Sequence, residues 1–164
     1  MQTGFMLSLL TPENLDLETL RALNNAQGRD LPFADQARFK HLVGQAFFAA
    51  TMNGTEAFIL AFDQDADYDS PHFLWFKAHF PRFIYIDRVV TEPAARGQGH
   101  AGRLYDELFK RARAAGHTRA VCEINGDPPN PASAGFHAKF RFQQVGPADL
   151  SAPGNVVHYY AKVL

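Results

Sequence analysis

Residues 82–124 read RFIYIDRVVTEPAARGQGHAGRLYDELFKRARAAGHTRAVCEI, and their changing periodicity decides the fold class. Arg82 to Thr91 alternates, with Phe83, Tyr85, Asp87 and Val89 on one face and Ile84, Ile86, Arg88 and Val90 on the other, which predicts a strand. From His100 to Ala115 the period becomes helical. Ala101, Leu104, Tyr105, Leu108, Phe109, Ala112 and Ala115 form one apolar stripe, and Arg103, Asp106, Glu107, Lys110 and Arg111 take the opposite face. Gly116 is a natural terminator, and Arg119 to Ile124 returns to a strand pattern. Strand, helix and strand make a βαβ unit, whose right-handed crossover leaves the two strands parallel.

Working outward, Phe47–Met52 and Ala57–Phe62 flank Asn53-Gly54, the pair favoured in a two-residue hairpin turn. Phe5–Leu10, Phe140–Val145 and Asn155–Leu164 predict further strands. Helices are predicted from Thr11-Pro12 to about Ala26, from Ala34 to Leu42, from Pro71 to Phe80, and after the Pro-rich loop 126–131 as far as Lys139. The chain is therefore expected to be α/β, a single domain over residues 1–164, with a mixed, mostly antiparallel sheet of about six to seven strands flanked by helices. Its 164 residues suit one core.

Sixteen Lys and Arg against 17 Asp and Glu leave a formal charge of −1, which argues against nucleic acid or an anionic membrane as the main partner. No apolar run approaches the roughly 18 residues of a bilayer span, and no signal peptide is read at Met1. The single cysteine, Cys122, excludes an internal disulfide and fits a reducing compartment, so a cytoplasmic protein is expected. No histidine pair has i, i+4 spacing and the acidic stretch 63–70 lacks a calcium-loop pattern, so no metal site is expected.

The turn between strand and helix, Arg96-Gly97-Gln98-Gly99-His100-Ala101-Gly102, carries the chemistry. Glycines let the backbone approach a ligand, and the free N–H groups of the first helical turn point at an anion such as pyrophosphate. Gly97-x-Gly99-x-x-Gly102 matches the dinucleotide fingerprint, with Glu123 at the end of the next strand. Against a dinucleotide, Glu92 to Arg96 separates the turn from its strand, and about 40 residues remain after Glu123 for the further parallel strands. A ligand-free surface connection is the remaining reading of the glycines.

Val89 to Ala101 also resembles the acyl-CoA-binding motif of the GNAT acyltransferase superfamily: an apolar strand, an acidic-Pro pair, then Gln/Arg-x-x-Gly-x-Gly/Ala, its positions filled by Arg96, Gly99 and Ala101. Downstream, Asn130, Ser133, Phe136 and Phe142 match the superfamily's Asn-x-x-Ala-x-x-Phe-Tyr-x-x-x-Gly-Phe segment, with His137 in place of Tyr and Arg141 in place of Gly. The resemblance implies transfer of an acetyl group from acetyl-CoA to a primary amine by direct attack, with acetyl-CoA as co-substrate and no metal. It implies a pantetheine arm along Val89, Val90 and Thr91, beside a gap between strands 82–91 and 119–124. A pyrophosphate would lie in Arg96, Gly97, Gln98, Gly99, His100, Ala101 and Gly102, with Asn130 and Ser133 touching the pantetheine or nucleotide. Glu123 is the expected base and His137 the expected acid for the departing thiolate, with Tyr159 or Tyr160 as substitutes. The acceptor is expected to be a small-molecule or peptide amine, and a homodimer is compatible. A catalytically silent CoA-binding sensor is the alternative.

Overall fold

The structure, a computed structural model, describes residues 4–27, 31–127, 130–147, 149–152 and 155–164. In chain order the elements are β1 (Leu7–Leu9), α1 (Leu17–Asn25), α2 (Gln36–Gln45), β2 (Phe48–Met52), β3 (Ala57–Asp63), α3 (Pro71–His79), β4 (Ile84–Thr91), α4 (His100–Ala114), β5 (Arg119–Asp127), α5 (Pro131–Lys139), β6 (Gln143–Gln144), β7 (Asp149–Ala152) and β8 (Asn155–Val163). The strands form one sheet in the order β1-β2-β3-β4-β5-β8-β6, with β7 also on β8. β4 and β5 run parallel, as a crossover through α4 requires, and every other described pairing is antiparallel.

Both faces of the sheet are covered. Phe58, Leu60 and Phe62 of β3 pack on one side with Leu20 of α1, Phe39 and Leu42 of α2 and Phe73 and Phe76 of α3. Ala57, Ile59 and Ala61 face the other side, against Leu104, Leu108 and Ala112 of α4. The apolar stripe of α4 is thus the side that docks, and Phe73, Phe76, Phe83 and Tyr85 are fully buried.

The strict alternation expected along β4 is interrupted. Leu60 pairs with Arg88 but Ala61 pairs with Ile86, so Asp87 is an extra residue, a β-bulge. The bulge reverses the facing: Tyr85 and Val90 lie on the α1–α3 side, while Ile86 and Val89 lie on the α4 side.

Three other expectations change. Residues 11–16 are turns rather than the start of α1, because the Asn14 side chain accepts from the Asp16 N–H (2.8 Å) and Asn14 N–H donates to the Thr11 carbonyl. The Asn53-Gly54 hairpin closes with four residues, 53–56, since Met52 pairs with Ala57; Asn53 and Gly54 both take positive φ, 51° and 80°. Phe140–Phe142 belongs to the exit of α5, leaving only Gln143–Gln144 as strand.

Candidate active site

β4 and β5 are joined by Ile84↔Ala120 and Tyr85↔Val121 alone among the described residues, although β4 runs to Thr91 and β5 to Asp127. Beyond Tyr85 the strands splay, which leaves alternate main-chain N–H and C=O groups of β4 without a sheet partner on that edge. The opening is a cavity of about 770 Å³. Its β4 wall runs from Ile86 through Val89, Val90 and Thr91, and its β5 wall from Cys122 through Glu123 to Asn125. Arg96 and Ala101 close one end. The gap expected between these strands is present, and the bulge at Asp87 accompanies its opening.

The glycine turn leads from a short 3-10 turn, Pro93–Ala95, into α4. Gly97 and Gly99 have φ of 82° and 83°, and Gly99 is the N-cap of α4. Left-handed backbone at both positions needs glycine, and it presents the first N–H groups of α4 outward at the positive end of the helix dipole. The Gln98 carbonyl accepts from Arg103. The His100 side chain turns inward, 2 % exposed, and its Nε2–H meets the Glu56 carboxylate at 2.7 Å, so only its main chain belongs to the turn's outer surface. Gly102 lies against Phe140.

Glu123 sits one turn of the pleat past the last β4–β5 pair. The Tyr85 hydroxyl donates to both of its oxygens, at 2.7 and 2.6 Å. Burial pushes the Glu123 carboxyl up to about 8, partly offset by this hydrogen bond, and the nearby Asp87 adds to the rise. Asp87 pairs with Arg88 rather than acting alone. The Tyr68 hydroxyl donates to Asp87 at 2.5 Å, and Arg88 Nη1 donates to Asn24 of α1 at 2.8 Å. This buried network ties α1 to the bulge.

On the opposite face, Asn130 caps α5 by accepting from Ser133 N–H (3.1 Å), and both residues line the cavity. His137 lines it too. Its Nδ1–H donates to the Ser133 carbonyl (2.8 Å), which makes Nε2 the acceptor of the Tyr105 hydroxyl proton, 2.8 Å away. Burial pushes the His137 imidazole below its ordinary pKa, partly offset by the hydrogen bond to the Ser133 carbonyl. Both ring nitrogens of His137, the residue expected as the acid, are thus engaged within the protein. Tyr159 stacks on Trp75 with ring centroids 4.3 Å apart and meets His72 at 3.1 Å. Cys122 is a buried thiol in the cavity wall.

The structure thus gathers Val89, Val90, Thr91, Arg96, Ala101, Glu123, Asn130, Ser133 and His137 around one cavity. Sequence reasoning missed Tyr85 and Tyr105 as partners of Glu123 and His137. Both stood in apolar stripes and read as core; a hydroxyl inside such a stripe, which must find a partner when buried, was the available signal. Among the described residues no cluster of His, Cys, Asp and Glu is arranged to hold a metal, and no helix is long and apolar enough to cross a membrane.

The fold is shared with Arabidopsis thaliana NAA60 in complex with acetyl-CoA (12% identity, covering 98% of this chain and 100% of that chain, TM-score 0.75). It is shared also with the ribosomal-protein-S18-alanine N-acetyltransferase of Escherichia coli (14%, 98% and 94%, TM-score 0.67) and an N-acetyltransferase of Staphylococcus aureus Mu50 (19%, 98% and 99%, TM-score 0.67). No curated protein matches the chain in sequence. The family model described as acetyltransferase (GNAT) family matches residues 37–142, from α2 through the glycine turn and the splayed strands to the exit of α5. With its glycine turn and open β4 edge in place, this chain belongs to the GNAT acetyltransferase family and is an acyltransferase.

Proposed function

We propose that the protein transfers an acetyl group from acetyl-CoA to a primary amine by direct attack on the thioester, without a covalent enzyme intermediate. The observation that carries this reading is Glu123, a carboxyl tuned to about 8 at the vertex of a cleft whose other end is the left-handed glycine turn. Main-chain donors at Gly97–Gly102 would hold the pyrophosphate, and the free edge of β4 from Asp87 to Thr91 would pair with the pantetheine amides. The thioester would then lie at the vertex. The acceptor enters from the α1–α3 side, where Glu123, Tyr68 and Phe33 line the cavity. An ammonium must lose a proton before it can attack, and a carboxylate with a pKa near 8 removes one far better than an ordinary glutamate. Holding both substrates in line supplies much of the remaining rate.

A peptide α-amine belongs among the acceptors to be tested. The E. coli neighbour is by name a ribosomal-protein-S18-alanine N-acetyltransferase, and the NatC complex that shares this fold is bound to a peptide and CoA. The buried thiol of Cys122 suits the reducing cytoplasm.

The test has two stages. Acetyl-CoA at about 100 times its dissociation constant adds about 2.7 kcal/mol, a rise in Tm of about 5–10 °C, while NAD leaves Tm unchanged. Thiol release is then followed over a panel of amino acids, polyamines and peptides. A Tm shift with NAD alone would overturn the ligand; tight acetyl-CoA binding with no thiol release on any amine would favour a CoA-binding sensor.

A further inference from the structure

We infer that the amine acceptor carries a carboxylate, and that Arg88 of β4 receives it in a side chamber of the cleft. The inference rests on the acyl-transfer reading above and names the class of its second substrate.

On the α1–α3 side the cleft adjoins a second cavity of about 390 Å³, between α2 and the start of α3. Phe33, Tyr68, Ser70 and Arg88 line both spaces. Phe33, Leu42 and Pro71 make much of the chamber wall apolar, and Arg88 is the one β4 residue in it. Its side chain crosses from the strand towards α1, where Nη1 donates to Asn24 at 2.8 Å. The volume lies within the range of about 300–1,000 Å³ usual for small-ligand sites.

A guanidinium has five N–H donors, and each needs an acceptor when it is buried. Asp87 accepts from Nε and Asn24 from Nη1, and the Tyr68 oxygen beside the guanidinium can take a third. At least two donors on the terminal nitrogens remain, on a side chain that is 2% exposed. Among the described residues, the polar side-chain atoms sealed away without a partner are His100 Nδ1 and His117 Nδ1. The spare Arg88 donors therefore open on the cavity. Two N–H groups of a planar fork match the two oxygens of a carboxylate.

The acids of this half of the cleft are already committed. Asp87 holds Arg88 and the Tyr68 hydroxyl, and Asp69, at the exposed rim, holds Arg38 at 2.5 Å. Glu123 serves the attacking amine. Among the described lining residues no carboxylate is left for a second ammonium, so a polyamine lacks a partner where a carboxylate has one. Tyr85, which holds Glu123, and Arg88 are three residues apart on β4, so their Cα atoms lie at most about 11 Å apart. One small acceptor reaches both Glu123 and the guanidinium.

The experiment reads kcat/KM for thiol release over matched acceptors. Leucine, leucinamide and 3-methylbutylamine share one skeleton and differ in the anion. Amidated Ala-Glu and Ala-Gln dipeptides place the same difference on a peptide side chain. A carboxylate is expected to raise kcat/KM about 10–100-fold over its amide, the ratio given by one hydrogen bond to a charged group. A preference in the first set supports the inference with a free amino acid as acceptor, and one in the second with an acidic peptide. Thiol release without a preference in either set overturns it and leaves acyl transfer standing. Asp87→Asn combined with Arg88→Met removes the fork without leaving a lone buried charge, and should bring the ratio to within about threefold of one. Arg38→Gln, at the rim, should keep the wild-type ratio. A folded double variant with the wild-type ratio, or loss of the ratio in Arg38→Gln instead, overturns the assignment to Arg88. The wild-type series needs no variant to fold. Absence of thiol release on every amine would instead overturn the acyl-transfer reading, and this inference with it.

Discussion

The Tyr85 hydroxyl bridges the two oxygens of Glu123 at 2.7 and 2.6 Å, and Tyr85 is also the last β4 residue paired with β5. The carboxyl proposed as the base is thereby fixed to the vertex where the strands part. Replacing Glu123 by Gln keeps an acceptor for Tyr85 and removes the proton acceptor for the amine. Turnover in Glu123→Gln is expected to fall 10²–10⁴-fold with acetyl-CoA affinity unchanged. Because the base works ionised and its carboxyl titrates near 8, wild-type kcat/KM should rise about tenfold per pH unit below 8 and level off above it. A flat profile from pH 6 to 9 would remove Glu123 from this role.

The same carboxyl sets a pH dependence of stability. Folded, Glu123 keeps its proton to about 8; unfolded, it ionises near 4.5. Between those values the folded state binds more protons, so stability is full below 4.5 and declines as pH rises to 8, by at most about 1.4 kcal/mol per unit. Glu123→Gln cannot ionise and should lose this slope. Urea melts at pH 5, 6.5 and 8 check it, with the variant expected to overtake wild type at the alkaline end.

Gly99 takes φ 83° at the N-cap of α4, and a Cβ there would lie 2.7 Å from Arg103 Nη1. The guanidinium is the end of a flexible chain and can swing aside, but left-handed backbone still costs an alanine about 1–2 kcal/mol. Gly99→Ala is expected to relax the turn, weaken acetyl-CoA binding at least fivefold by calorimetry, and lower Tm by a few degrees.

Much of this site was legible because it depends on local periodicity. Strand 82–91, helix 100–115 and strand 119–124 each carry their own pattern, and the glycines of the turn announce backbone that only glycine adopts readily. What was not legible depends on partners distant in sequence. The bulge at Asp87 follows from how β4 registers on β3, and it moves Arg88 from the face of Ile86 to that of Asn24. Tyr85 and Tyr105 find Glu123 and His137 at separations of 38 and 32 residues, which no window along the chain reveals.

Arg88 and Asp87 are buried together, their side chains 2% and 4% exposed. Removing one member leaves the other charge without compensation. Arg88→Ala should destabilise by about 3–5 kcal/mol and free Asn24 from β4. Combining Asp87→Asn with Arg88→Met removes both charges, keeps an acceptor for Tyr68 and restores most of the loss. Chemical denaturation of the single and double variants measures this; equal instability in both would assign the cost to the lost Arg88 hydrogen bonds, such as that to Asn24, rather than to an uncompensated charge.

Arg141 occupies φ 67° just past the end of α5, where the Phe142 N–H donates to the His137 carbonyl (3.1 Å) and the Arg141 N–H to that of Ala138 (3.0 Å). This is the left-handed exit that helices usually assign to glycine. It turns the chain before β6, and it explains why Phe140–Phe142 does not extend as a strand. An arginine there bears about 1–2 kcal/mol of backbone strain. Replacing it with glycine removes that strain but gives the unfolded chain more freedom, worth about 0.4–1 kcal/mol. Arg141→Gly should therefore gain up to about 1 kcal/mol, a Tm rise of about 2–4 °C. Since Arg141 is exposed and outside the cavity wall, kcat and acetyl-CoA affinity should not move. A drop in Tm would show that its side chain contributes more to the α5 exit than the strain takes away.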